Sequence, residues 1–210
     1  MWTLFERGGP IMWPLLVTSI IAVSIVLERC VFLWKTRSSR SPETLERMFR
    51  SAERGAFDEA IAEGRRSGDF VARVLAYGLE HRAFSYSQAA LRQANTELRN
   101  FSRGVTALDT IVTLAPLLGL LGTVTGMINA FGLLGGSELE APAAITGGIA
   151  EALIATAYGL GIAITALIPL NILNAKLDNA HAELEERASE LETMLSKSGD
   201  DSVRGELRRA

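Results

Sequence analysis

Three long stretches without a charged side chain constrain this chain more than any other feature. Between Pro10 and Glu28 there are 17 such residues, Ile11 to Leu27; between Asp109 and Glu138 there are 28, and between Glu151 and Lys176 there are 24. A bilayer core of ~30 Å needs about 20 helical residues, because in hydrocarbon each main-chain polar group must be bonded within its own segment. The pattern predicts an all-α membrane protein with transmembrane helices over 10–34, 110–134 and 143–172. Composition alone, 48% apolar and 21% charged, would pass for a soluble average. The segregation of the charges excludes disorder, a collagen-like fibre and a disulfide-stapled secreted fold. A net charge of -3 offers no field for nucleic acid, and the lone Cys30 forms neither an internal disulfide nor a cysteine metal cluster.

A cleaved signal peptide is the competing reading of the first stretch. Arg7 is accompanied by Glu6, however, and no small-x-small site comes after the apolar run, so a retained span is expected. Trp13 and Trp34 fall near its two interfaces, and tilt or snorkelling can accommodate Glu28 and Arg29 at its end. Only Arg7 precedes this span, whereas Lys35, Arg37, Arg40, Arg47, Arg50 and Arg54 come closely after it. The connection Ser137–Pro142 holds Glu138 and Glu140 and no basic residue. The positive-inside tendency then places residues 1–9 and the 135–142 connection outside, and 35–109 and the C-terminal tail in the cytoplasm.

The 35–109 region reads as helical. Ser41-Pro42-Glu43 supplies an N-cap, a proline at the first helical position and an acid in the first turn, and Gly55, Gly64 and Gly68 punctuate the residues beyond. Ser85-x-x-Gln88 resembles a capping box, with no later proline until Pro116, so the span-two helix is expected to begin near Ser85. Span three is expected to continue through 173–197, where Leu177, Leu184 and Leu191 repeat every seven residues. Each long helix would reach ~75–80 Å. The leucine stripe is read as packing on its own chain, between identical subunits, or both. Residues 198–210, rich in charge, Gly and Ser, read as a flexible tail.

Two features of the spans exceed what anchoring requires. Glu151 is the only ionisable residue in span three, ~12 Å inside its outer end, where a carboxylate is costly and marks a water-filled path, a partner group or a structural polar plug. The other is a concentration of small and hydroxylated residues. Gly119, Gly122 and Gly126 lie in span two, and Gly148, Ala152, Ala155 and Gly159 in span three, at intervals that let helix backbones approach closely. Thr123 and Thr156 either bond back to their own helix or hydrogen-bond water or a cation along a pore. Thr156 lies ~7.5 Å deeper than Glu151 and about 140° around the axis, so a path using both must twist or pass between helices. No enzyme, cofactor or metal site is expected: His81 and His181 stand apart without ligand neighbours, and no phosphate loop or nucleophile elbow is present.

Gly119-Leu-Leu-Gly-Thr-Val-Thr-Gly126, with Gly148-Ile-Ala-Glu-Ala-Leu-Ile-Ala-Thr-Ala-Tyr-Gly159 after it, resembles the signature of the MotA/TolQ/ExbB proton-channel family, and Gly8-Gly-Pro-Ile-Met-Trp13 is similar to short ExbB-type members. The MotA branch has four spans, so the likeness is to the ExbB/TolQ branch. It implies an inner-membrane homopentamer enclosing the single-span helix of an ExbD- or TolR-like partner, whose aspartate carries the proton. It also implies force transmission to a TonB- or TolA-like protein. The matching positions are Thr123, Glu151 and Thr156. The role implied is ExbB-like import across the outer membrane, with a TolQ-like envelope role or a non-conducting scaffold as alternatives. A solute transporter is disfavoured, since there are no inverted repeats or broken helices.

Overall fold

A computed structural model describes residues 2–132 and 141–207, with side chains over 5–132 and 145–197. Eight α-helices succeed one another among the described residues: α1 (Trp2–Arg7), α2 (Met12–Ser38), α3 (Pro42–Glu53), α4 (Phe57–Arg66), α5 (Phe70–Glu80), α6 (Arg82–Ser102), α7 (Val105–Gly132) and α8 (Ala141–Leu207). Among the described residues three helical stretches are long and apolar enough to cross a membrane, within Met12–Ser38, Arg82–Gly132 and Ile145–Lys197. The all-α, three-span architecture expected from the charge pattern is the one found. Most of the acidic connection read over 135–142 lies outside the described residues. α8 runs on through Leu207, so helical backbone includes most of the segment read as a flexible tail.

The chain divides into two compact units, Met1–Cys30 with Gly104–Leu173, and Val31–Arg103 with Asn174–Ala210. The first is apolar, built on α2, α7 and the first part of α8. α7 and α8 pack through small residues in an antiparallel order. A methyl placed on Gly126 would stand 3.0 Å from the Gly148 carbonyl oxygen, one on Gly119 3.0 Å from the Thr156 Cα, and one on Gly159 3.1 Å from the Gly119 Cα. Ala115, Ala130, Ala152 and Ala155 are buried along the same seam. The small positions named from four-residue spacing thus form one continuous contact, and lipid chains cannot compete for it because they cannot fill a groove that narrow.

The second unit is a helical bundle whose core includes Met48, Val71, Leu75 and Leu79, with Leu184 and Leu191 of α8 buried against them. The leucine stripe thus packs on its own chain at Leu184 and Leu191. Pro42 opens α3 as expected, but the Ser41 side chain does not cap it; its hydroxyl meets Thr44 Oγ1 at 2.8 Å. Asp69 joins the connections instead. It is 1% exposed, its Oδ1 accepts the Val71 N–H at 2.9 Å to cap α5, and its Oδ2 accepts the Ser41 N–H at 3.0 Å. Arg40 stands over the Phe70 ring and pairs with Glu183 of α8. Gly64 is no turn residue: it lies inside α4, packed against Met48 and the Ala72 carbonyl.

Two local expectations are modified. Ser85 does start a helical segment, being extended itself (φ -170°, ψ 108°) with its hydroxyl accepting the Gln88 N–H at 3.3 Å. The helix beginning there nevertheless stops at Ser102, and α7 restarts at Val105 after Gly104, whose φ of +74° only glycine adopts without strain. Second, Arg29 is buried rather than snorkelling outward. Its Nε donates to Glu28 Oε2 at 3.1 Å, and the pairing reduces the cost of holding the guanidinium inside the apolar unit.

Candidate functional site

All the polar residues singled out in the spans belong to the apolar unit. Thr156 is on α8, half-buried, and does not bond back to its own helix. Its Oγ1 donates 3.1 Å across the seam to the Gly119 carbonyl oxygen. The close approach at Gly119 is what makes that reach possible, since a side chain there would hold the helices apart. Thr123 on α7 takes the local alternative, donating to the Leu120 carbonyl at 2.7 Å. It lies beside Val124, Met127, Ile128 and Phe131 along a shallow apolar depression. The hydroxyl protons of both residues are therefore engaged by main-chain oxygens, and what remains for a passing group is acceptor capacity.

Glu151 is half-buried on α8 and meets the turn that precedes α2. A methyl on Gly9 would overlap the Glu151 carboxyl, standing 2.6 Å from its Cδ, and Gly9 has a φ of +72°. The backbone conformation calls for glycine there, and a side chain would also make the Glu151 carboxyl shift. Gly8 alongside packs near Met12 and Ile154. Gly9 is a site residue that the sequence does not mark as one. Gly-Gly-Pro is a strong turn signal, but nothing in its spacing shows that the turn meets the intramembrane acid. Glu151 and Thr156 point to different neighbours, the Gly9 turn and the Gly119 carbonyl, in keeping with their ~140° separation on the helix. Among the described residues no group of three or more His, Cys, Asp or Glu side chains could hold a metal ion.

These features define a class: a multi-pass membrane protein with three apolar helices, two of them packed along a small-residue seam, with Glu151 and the hydroxyls of Thr123 and Thr156 at the edges of that helix pair. The MotA/TolQ/ExbB proton channel family matches residues 67–186, and the chain belongs to that family. It is 33% identical over 202 residues to a putative biopolymer transport protein ExbB-like 3 of Synechocystis, covering 92% of this chain and 94% of that one. With the biopolymer transport protein ExbB of Neisseria meningitidis serogroup A it shares 31% over 214 residues, covering 93% and 97%. The Tol-Pal system protein TolQ of Haemophilus influenzae is 35% identical over 103 residues, covering 49% and 45%. As a subunit of a channel family the chain is not an enzyme.

Proposed function

We propose that this chain is the channel-wall subunit of an ExbB-like, proton-motive-force-driven motor of the bacterial inner membrane. In this reading five copies surround the single-span helix of an ExbD/TolR-type partner. Proton passage moves that partner, which transmits force to a TonB-like protein and powers import across the outer membrane. The N-terminus is periplasmic and the second unit cytoplasmic, in line with the distribution of Lys and Arg.

One observation carries the proposal: Thr123, Glu151 and Thr156 are all half-buried at the edges of a helix pair otherwise closed by small residues. Each is supported by its own chain and still open on one side to a neighbour. The hydroxyls and the carboxylate offer acceptors to water or a protonated partner carboxyl, while the small residues leave a wall on which the partner helix can move. The full-length relatives called ExbB favour import over the TolQ role, for which the shorter TolQ match is the supporting observation.

The test is proton-driven uptake with the complex shown to be assembled. Thr156→Val and Glu151→Ala are each expected to abolish or sharply reduce it. Full activity in both variants would remove these residues from the route. A non-conducting scaffold predicts instead that Glu151→Gln leaves function intact while weakening assembly.

A further inference from the structure

The second unit carries two charged edges that do not meet within the chain. A groove runs between α6 and the later part of α8, floored by Ala90, Ala94 and Leu184 and closed at one end by the buried Tyr86. Glu185 and Glu192 stand on its α8 wall. Asp178, Glu185 and Glu192 are seven residues apart, so they form one line within ~40° around the axis, with ~10.5 Å from each acid to the next. All three are exposed. His181 Nδ1 lies 4.0 Å from Glu185, while Asp178 and Glu192 pair with no basic side chain among the described residues. Lys176, Arg187 and Lys197 fall ~120° or more around the helix from Glu185.

The opposite charge lies on α6. Arg92 and Arg99 are exposed and again seven residues apart, ~80–100° around this helix from Leu91, which borders the groove. Neither guanidinium has an ion-pair partner among the described residues. Glu97, between them in sequence, is buried and held by Arg73 at 2.9 Å. The outer face of α6 from Gln88 to Arg99 thus presents two cations and no exposed acid.

The two edges also match in height. α6 and α8 run antiparallel in this unit, with Tyr86 near enough to Glu192 to feel its charge, and with Leu98 and His181 both lining the groove. In that register Arg92 is level with Glu186 and Arg99 with Asn179, each one residue from an acid of the line. Copies arranged around an axis along the membrane normal share every height, so only charges at equal levels can meet between neighbours. A basic edge on one helix and an acidic edge on another suit a head-to-tail contact, the kind that closes rings.

We propose that the arginine edge of α6 in one copy of this chain docks on the acid line of α8 in the next, Arg92 toward Glu185 and Arg99 toward Asp178. These pairs fix direction and register more than they add affinity. The inference rests on the proposed ring of identical subunits and names the surfaces by which its cytoplasmic part closes.

The test uses the full-length chain in membranes with its single-span partner and with Cys30→Ser removing the native thiol. Arg92→Cys and Glu185→Cys in the same chain, treated with a short bis-maleimide, should give a covalent ladder beyond the dimer in denaturing gels, and either cysteine alone should not. Adding Arg99→Glu should lower the ladder yield about fivefold or more, and Asp178→Arg on top should restore most of it. Without added cysteines, Arg92→Glu with Arg99→Glu should move the purified complex to smaller size on size-exclusion chromatography, and Asp178→Arg with Glu185→Arg should return it. An assembled complex that gives no ladder, or a ladder and an elution volume indifferent to charge reversal, would overturn the inference and leave the proposed function standing. A wild-type chain that amine-reactive cross-linking shows to be monomeric in the membrane would overturn the ring, and this inference with it.

Discussion

The Thr156 hydroxyl on α8 donates to the Gly119 carbonyl on α7 at 3.1 Å, a hydrogen bond between two residues 37 positions apart. It couples a polar residue of the proposed route to the helix seam, where a methyl on Gly119 would stand 3.0 Å from the Thr156 Cα. Thr156→Val keeps the shape and removes the donor, and should cost about 0.5–1.5 kcal/mol, read as a lower midpoint in thermal melts of the detergent-solubilised protein. Thr156→Ser should melt close to wild type. A valine variant that is as stable as wild type but inactive would assign the hydroxyl to conduction rather than packing.

The seam discriminates sharply between glycines. A Cβ at Gly159 would stand 2.5 Å from the Ala115 carbonyl oxygen, a main-chain atom that cannot move aside without shifting α7. One at Gly161 meets nothing within 4 Å. Gly159→Ala should therefore destabilise by about 1–3 kcal/mol. Gly161→Ala should be neutral or slightly stabilising, since alanine is the better helix former. Circular dichroism melts of the two variants side by side provide the check.

Gly9 and Glu151 should show energetic coupling. Gly9→Ala introduces both a strained φ and an overlap with the carboxyl, and Glu151→Ala relieves only the second. A double-mutant cycle on thermal stability should return a coupling of about 1 kcal/mol, with the double variant more stable than additivity predicts. Strict additivity would mean that the turn and the acid do not meet.

Tyr86 in the second unit is the counterexample to the rule that buried hydroxyls are paired. Its oxygen is buried without a hydrogen-bond partner, and burial, aided by the charge of Glu192, holds the phenol well above its ordinary ionisation range. Tyr86→Phe deletes an unsatisfied group while keeping the ring, and should leave stability unchanged or raised by up to about 1 kcal/mol. The unfolded phenol ionises near 10, below the folded one. Stability is therefore complete below about pH 10 and declines as pH rises past it, and Tyr86→Phe should flatten that decline. A phenylalanine variant that melts well below wild type at neutral pH would contradict this account.

Much of this arrangement was legible because it is local or periodic. The span helices come from runs of uncharged residues, the start of α3 from Ser41-Pro42, and the seam from glycines and alanines four apart. Those signals depend on the chain's own spacing, which any bilayer or apolar core reads in the same way. Even the interruption before α7 had its marker in Gly104, though the absence of proline nearby suggested an unbroken helix.

What the order of residues determined was which segments cross a membrane, which helix sides are small enough to touch, and which few polar groups those segments contain. Only the tertiary structure decided what each polar group meets: Glu151 a glycine turn far earlier in the chain, Thr156 a carbonyl on the facing helix, Asp69 the start of a helix other than its own. The reason is physical. Periodicity specifies a side of a helix, but a hydrogen-bond partner is selected by the register and separation at which two helices come to rest, and these are set by packing across the whole seam.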